Sequence, residues 1–366
     1  MATRATRSAR HTTASSSSSS QLLDEASLAE PHEYRNAEQT LTKLLHLMRR
    51  GILPANLVPA LNTLHDAVID APCFSCHLLN LSHDELGVIV DGLADPLRPV
   101  VAVALSSTCK GLRTPLQAAL EVLQERHARA NRLCQKMDTS YWQLRDVKEL
   151  EWEEKDLGAD DMATLGMVLP WMPGLCLLDL DGNQLGDAGV QALFEGLGPA
   201  AAPSLAYLWL GRNLFGPAGA EGLSAALRRG AMPKLEELHL SDNLLGNQGV
   251  KALAMPLRQL PALHHLGMYR CNMGDDGLAS LLAGLGKDDF KLVTDLYLDG
   301  NQLTDAGCAT LIASLKAGAL PEIGTVDTLG TDTFSVHASN EMLADLDAAV
   351  EAVYQLKRAA NARRNR

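Results

Sequence analysis

Cys73-x-x-Cys76-His77 has the spacing of a haem-attachment or metal-binding signal. Haem attachment of that type needs an exporting, haem-loading compartment, which nothing in the chain implies. Zinc would draw on Cys73, Cys76 and His77 or His83. A structural zinc takes four ligands, and no second Cys or His pair stands at finger spacing. The glycines build no phosphate loop, because no Gly-Lys-Ser/Thr closes a Gly-rich turn. His239 and His265 fall on adjacent expected strands of a repeated segment, near Asp242, and could form an acid–base cluster. No nucleophile or oxyanion donor converges on them. The expectation is therefore a chain with no cofactor, no metal and no catalytic residues.

The elements that position these residues come from the repeat. Leu175-x-x-Leu178-x-Leu180-x-x-Asn183-x-Leu185 returns as Leu205 to Phe215, Leu235 to Leu245, Leu263 to Met273 and Val293 to Leu303. A weaker copy starts at Val147, with Lys155 in the Asn place, and a degenerate one at Ile323. Starts are separated by 28, 30, 30, 28, 30 and 30 residues. Alternating leucines predict a short strand in each copy. The residues Asn183, Asn213, Asn243, Cys271 and Asn301 mark where the chain leaves that strand. A buried Asn there can bond the backbone groups of the bend, and Cys271 only weakly, so that copy is expected to be looser. Gly189, Gly219, Gly249, Gly277 and Gly307 recur near each expected helix start. Each is followed four residues later by a leucine on the buried helical face. One repeat cannot bury its apolar side alone, so the copies must stack.

This pattern resembles the leucine-rich-repeat family over roughly residues 144–335, and the long period with Gly186-Asp-Ala-Gly-Val-Gln-Ala-Leu193 is similar to its ribonuclease-inhibitor-like subclass. The resemblance implies an α/β solenoid, a horseshoe with parallel strands on the concave face and helices on the convex one. It also implies binding of a protein partner. The expected domains are a Ser/Arg-rich disordered tail (1–30), an all-α region (31–136), the repeats (137–335), and a capping helix with a basic tail (336–366).

Side chains between the repeat leucines should face outward on the concave side. They include Asp179, Trp209, His239 and Tyr297, with Glu237 and His265 two places earlier on their strands. Asp181, Tyr269 and Asp299 follow two places later, and Arg212, Asp242 and Arg270 stand beside the Asn/Cys positions. Tyr207, Tyr269 and Tyr297 are half of the chain's six tyrosines, an informative concentration in a sequence only 4% aromatic. Hot spots are rich in Trp, Tyr and Arg. An aromatic centre at Tyr207, Trp209 and Tyr269, rimmed by carboxylates, would suit a basic or mixed-charge protein. The alternative is that these rings cover one another as cross-strand pairs.

Helical spacing before the repeats predicts helices over Thr40–Arg50, Pro54–Ala71, Ser82–Leu93, Leu97–Leu112 and Pro115–Met137, with Ser82 and Glu85 as a capping box. Leu81-Ser-x-x-Glu85-Leu86-x-x-Ile89-x-x-x-Leu93-x-Asp95-Pro96-Leu97, followed by Cys109-Lys110-Gly111-Leu112-Arg113, resembles an F-box, with Ser82 where that family usually has Pro. That resemblance implies that Leu81, Leu86, Ile89, Leu93 and Leu97 dock a small cullin-linked adaptor, making the chain a ubiquitin-ligase substrate adaptor. The alternatives are a helical cap on a stand-alone scaffold or inhibitor, and a GTPase activator with Arg212 as its orienting arginine. Asn340–Ala359 reads as an amphipathic capping helix with Leu343, Leu346, Val350, Val353 and Leu356 along it.

The chain of 366 residues carries a formal charge of −12, which argues against nucleic acid as the main partner. No stretch reaches the roughly 20 apolar residues of a membrane span. Seven scattered cysteines suit a reduced compartment, so a cytoplasmic monomer is expected. The basic run from Lys357 to Arg366 offers a nuclear alternative, and the Arg4, Arg7 and Arg10 tail an organelle-transit one.

Overall fold

A computed structural model describes residues 95–97, 117–286, 289–327 and 338–364. The chain divides into two compact units, residues 1–127 and 128–366. The tail expected at 1–30, the helices expected before residue 95 and over 98–112, the Cys73–His77 motif, and Leu81, Leu86, Ile89 and Leu93 all lie outside the described residues. Within the first unit, Asp95 Oδ1 accepts the N–H of Leu97 at 2.8 Å, and His127 Nδ1 pairs with Pro96 O at 2.7 Å. Leu97, expected to present a docking surface, is instead buried at 1% exposure.

Helix α1 (Gln117–Lys136) ends in the second unit, where Lys136 Nζ donates to Asp156 O and Asp161 Oδ2, each at 2.7 Å. A short helix α2 (Tyr141–Asp146) follows, capped by Ser140 through the N–H of Gln143. Then strand and helix alternate. The strands are β1 (Glu149–Glu151), β2 (Leu177–Asp179), β3 (Tyr207–Trp209), β4 (Glu237–His239), β5 (His265–Gly267), β6 (Asp295–Tyr297) and β7 (Thr325–Asp327). The helices are α3 (Ala159–Val168), α4 (Gly186–Phe194), α5 (Pro217–Arg228), α6 (Gly246–Arg258), α7 (Asp275–Leu282), α8 (Asp305–Lys316) and α9 (Asn340–Arg364).

All seven strands pair in parallel in chain order, with Leu150, Leu178, Leu208, Leu238, Leu266, Leu296 and Val326 opposite one another. The helices from α3 to α9 pack each against the next. The six leucines of that row, and the repeat leucines beside them, are buried between the sheet and this helix layer. This is the architecture of an α/β repeat solenoid. Leu343, Leu346 and Ala349 make the buried stripe of α9, whereas Leu356, expected on it, is 72% exposed. Spacings of three residues, not the run of leucines, set which side of this helix meets α8.

Two side-chain ladders join the repeats, and both exceed what the spacing predicts. Each Asn reaches back into the previous copy. Asn183 Oδ1 accepts the N–H groups of Lys155 (2.9 Å) and Leu157 (3.2 Å), and its Nδ2 donates to Trp152 O and Leu180 O. Asn213, Asn243 and Asn301 repeat this arrangement on their own predecessors. Cys271 is buried in the same place, its Sγ donating weakly to Leu240 O (3.2 Å) and Tyr269 O (3.5 Å).

The second ladder stands at the helix starts. Asp187 Oδ1 accepts Gly216 N–H and Gly219 N–H, both at 2.7 Å, one repeat onward. Asn247 does the same for Gly274 and Gly277, Asp275 for Thr304, and Asp305 for Ser339 before α9. Orphan N–H groups of a helix start are thus satisfied by the neighbouring repeat. The recurring glycine gives this carboxylate room, since a Cβ on Gly219 would lie 2.9 Å from Asp187 Oδ1. Where the previous repeat offers Ala159 or Pro217 instead, the loop glycine turns left-handed, Gly186 at φ +59° and Gly246 at +57°. The capped equivalents Gly216, Gly274 and Thr304 stay extended, at φ −113°, −104° and −106°. Two arginines close helix C-termini. Arg229 donates to Phe194 O and Leu197 O after α4, and Arg258 to Ser280, Leu281 and Ala283 carbonyls after α7.

Candidate functional site

The helix-free face of the sheet and its edge carry the residues predicted to bind a partner on the repeats. On strands this short the backbone bonds continue two to three residues past the last paired one. Gly182 N–H reaches Gly211 O, Arg212 N–H reaches Ser241 O, and Asp242 N–H reaches Tyr269 O. Face positions therefore stay in register from residue 149 to residue 327. Just before each Asn or Cys, and before Lys155 in the Asn place, the chain turns through a left-handed residue: Glu154, Gly182, Arg212, Asp242, Arg270 and Gly300. This turn lifts Arg212, Asp242 and Arg270 to the edge of the face.

The central row is continuous. Trp209 meets the His239 ring edge-on at 6.1 Å, and His239 meets Tyr297 at 6.4 Å, two strands away. Gly267 lies between them, and a Cβ there would stand 3.1 Å from His239 Nδ1. The missing side chain lets His239 lean across the gap. Glu237 Oε1 fixes the cluster, accepting Trp209 Nε1–H at 3.0 Å and lying 3.2 Å from His239 Nε2. The ring contacts thus run Trp209–His239–Tyr297, where the sequence predicted a centre at Tyr207, Trp209 and Tyr269. Tyr207 is half-buried on the same strand as Trp209, and the Tyr269 hydroxyl bonds the Asp242 carboxylate. His265 Nδ1 lies 2.9 Å from Asp295 Oδ2, which also accepts from Thr294 Oγ1 at 2.7 Å.

Charge dominates the rest. Glu149, Glu151, Glu153, Glu154, Asp179, Asp181, Glu237, Asp242, Asp295, Asp299 and Asp327 occupy the face or its edge, with Arg212 and Arg270 as the arginines. Arg212 Nη1 pairs with Glu154 Oε1 at 3.2 Å, and Arg270 Nη1 lies 3.7 Å from Asp242 Oδ1. Burial pushes the Asp179 carboxyl above its ordinary value, and repulsion by Asp181 and Glu151 adds to this. Burial likewise raises Asp181, opposed by the Gly211 N–H, Arg212 and His239. Asp299 is raised by burial and then by Asp327. Tyr269 and Tyr297 are raised by burial and by neighbouring carboxylates. Asp179, predicted to be open to a partner, is 5% exposed and accepts the N–H of Asp181. Its neighbours close over it, so it acts on the face through its field rather than by contact.

Among the described residues no group of three His, Cys, Asp or Glu could hold a metal ion, and no helix is long and apolar enough to cross a membrane. A leucine-rich repeat family model matches residues 177–194 and 231–254. The chain carries leucine-rich repeats. Leucine-rich repeats generally mediate protein–protein interaction, and proteins built from them are typically non-enzymatic binding scaffolds. No curated protein matches the chain.

The outward register places Glu237, Asp295, Gly211, Ser241 and Gly267 on this face, but sequence reasoning did not single them out as site residues. The signal was available, since all five stand in the outward register. The two glycines matter because a gap in a row of side chains lets a neighbour lean over.

Proposed function

We propose that this chain binds a protein of basic or mixed charge on the helix-free, concave face of its repeats. The observation that carries this reading is the fixed Trp209–His239–Tyr297 row, surrounded among the described residues by eleven carboxylates and two arginines. Half-exposed rings held by hydrogen bonds lose little entropy on binding, and an acidic surround steers a basic partner toward them. The test is quantitative co-purification with the wild-type chain, Trp209→Ala and a helix-side control, Glu221→Lys. A partner lost with Trp209→Ala and retained with Glu221→Lys supports the reading. Equal retention by both variants removes this face from it.

A narrower reading makes the chain a ubiquitin-ligase adaptor. It rests on the Leu81–Arg113 pattern and on the repeats as a substrate receptor. Leu86→Asp with Ile89→Asp should then lose a cullin-linked adaptor and keep the partner held by the repeats. If the adaptor is never recovered with the unaltered chain, the reading reduces to a stand-alone scaffold or inhibitor. A GTPase activator would use Arg212, whose exposed guanidinium pairs with Glu154 at 3.2 Å and would have to leave that surface pair.

A further inference from the structure

The residue that follows each Asn or Cys of the ladder, and Lys155 in the first copy, forms a row along the turn edge of the repeats. The row is Asp156, Gln184, Leu214, Leu244, Asn272 and Gln302, all exposed. Its two central members are leucines, 53% and 59% exposed, where every other copy has a polar residue. The Leu244 N–H donates to Phe215 O at 2.8 Å, which ties the two loops together. The leucines thus stand on successive loops, about one strand spacing or roughly 5 Å apart along the row. Leu214 has φ +59°, a left-handed conformation that Asn272 takes readily in the same place at +58° and that leucine seldom adopts. Neither burial nor backbone preference accounts for a leucine there. One exposed leucine is ordinary, but an adjoining pair among polar equivalents marks a contact surface.

We propose that this pair docks on a second copy of this chain, across a two-fold axis that passes between Leu214 and Leu244. The row has the same character in both directions from that point, leucine and then two polar residues. A two-fold contact therefore sets Leu214 against Leu244 of the other copy and Gln184 against Asn272 of the other copy. Each of these amides carries both donors and an acceptor, so the flanking pair is complementary. Charge separates this edge from the sheet face. A chain with a formal charge of −12 repels its own copy wherever carboxylates meet. Two residues before the leucines stand Arg212 and Asp242, and each is in an ion pair, Arg212 with Glu154 at 3.2 Å and Asp242 with Arg270 at 3.7 Å. Both arginines of the face lie here, so a like-charged copy approaches this edge more readily than the acidic sheet face. The contact leaves the sheet face open and is independent of the partner binding proposed above. Two half-exposed leucines per copy fall well short of the roughly 800 Å² that each partner buries in a standard interface. Association is therefore weak, with a dissociation constant on the order of 0.1 mM, and the dilute chain is the expected monomer.

The test is analytical ultracentrifugation of the full chain from about 5 µM to about 1 mM, a range that brackets this constant. Wild type is compared with the double variant Leu214→Asn, Leu244→Gln, which copies the residues found at the same places in the fifth and sixth strand repeats. Met255→Gln removes an exposed apolar side chain from α6 and serves as the control. Losing this much apolar burial weakens association by about tenfold or more. The expected result is a monomer–dimer equilibrium that levels off at the dimer in wild type and in Met255→Gln, and is weaker by that factor in the double variant. Leu244→Gln alone, at a position with no left-handed backbone, should give part of the loss. Thermal melting of the dilute variants should match wild type, because both leucines are exposed in the monomer. A wild-type chain that stays monomeric over the whole range would overturn the proposal. So would a double variant that dimerises as well as wild type, or association that grows past the dimer without levelling, since a two-fold contact closes. A double variant that melts well below wild type would overturn it too, by giving the leucines a packing role within one copy.

Discussion

Exchanging Asn213 and Cys271 in character tests the ladder that holds the repeats in register. Asn213 is fully buried and makes four bonds: Oδ1 accepts from Asn183 (3.1 Å) and Leu185 (3.4 Å), and Nδ2 donates to Leu180 O (2.9 Å) and Gly211 O (3.0 Å). A cysteine there keeps one weak donor and a weak acceptor, as Cys271 does with Leu240 O and Tyr269 O. The change forfeits the worth of about two neutral hydrogen bonds at roughly 1 kcal/mol each, so Asn213→Cys should cost about 2 kcal/mol. At about 2–4 °C per kcal/mol for a repeat region of this size, the melting temperature should fall by roughly 4–8 °C. Cys271→Asn should do the reverse on a smaller scale, gaining about 1 kcal/mol, because part of the gain is spent fitting a larger side chain into a closed site. Urea denaturation followed by circular dichroism measures both. Amide exchange at Asn183, Leu185, Asn243 and Leu245 localises the effect, which matters in a repeat array that can open locally. Asn213→Cys within about 0.5 kcal/mol of wild type, the scatter of neutral surface changes, would refute the reasoning. A destabilising Cys271→Asn with no other packing change would refute it as well.

Three further outcomes follow from the same contacts. Asp187→Ala should destabilise by about 1 kcal/mol, the usual worth of a helix N-cap, and amide exchange should quicken at Gly216 and Gly219 while Gly246 is unaffected. Burial raises the Asp179 carboxyl in the folded state, so its contribution to stability is present below the unfolded value near 3.8 and lost as pH rises through the raised folded one. Asp179→Asn should therefore melt higher than wild type at neutral pH, with the gain shrinking to nothing below about pH 4, and equal melting across that range would contradict the burial argument. The Cys271 thiol is pushed up to about 12 by burial, so iodoacetamide at pH 8 should label it only after unfolding, as peptide mapping would show.

The strand positions were legible because a period of two within a period of 28 or 30 leaves few ways to bury Leu178, Leu208, Leu238, Leu266 and Leu296 together. The Asn positions were legible for a similar reason, since a polar residue in such a pattern must bond backbone. Its reach into the previous repeat was not, because that depends on how copies stack and not on any one copy. The capping ladder was hidden in the same way. Asp187 reads as an ordinary acidic residue of a first helical turn until Gly216 and Gly219 are brought beside it. On the helix-free face, register identified which side chains point outward. It could not foresee that Asp179 would be closed over, or that Gly267 would let His239 lean toward Tyr297. Those outcomes depend on side-chain size at the neighbouring strand, and an outward-facing glycine is the sequence feature that gives them away.

The central claim is that partners dock on the sheet face and not on the helices. The most direct measurement places a photo-crosslinking amino acid at His239 on the sheet and, separately, at Glu221 on α5, then maps adducts formed with the co-purified partner. The account predicts adducts from position 239 that fade as salt is raised, and none from position 221. Adducts from position 221 alone would contradict it and move the binding surface to the helices.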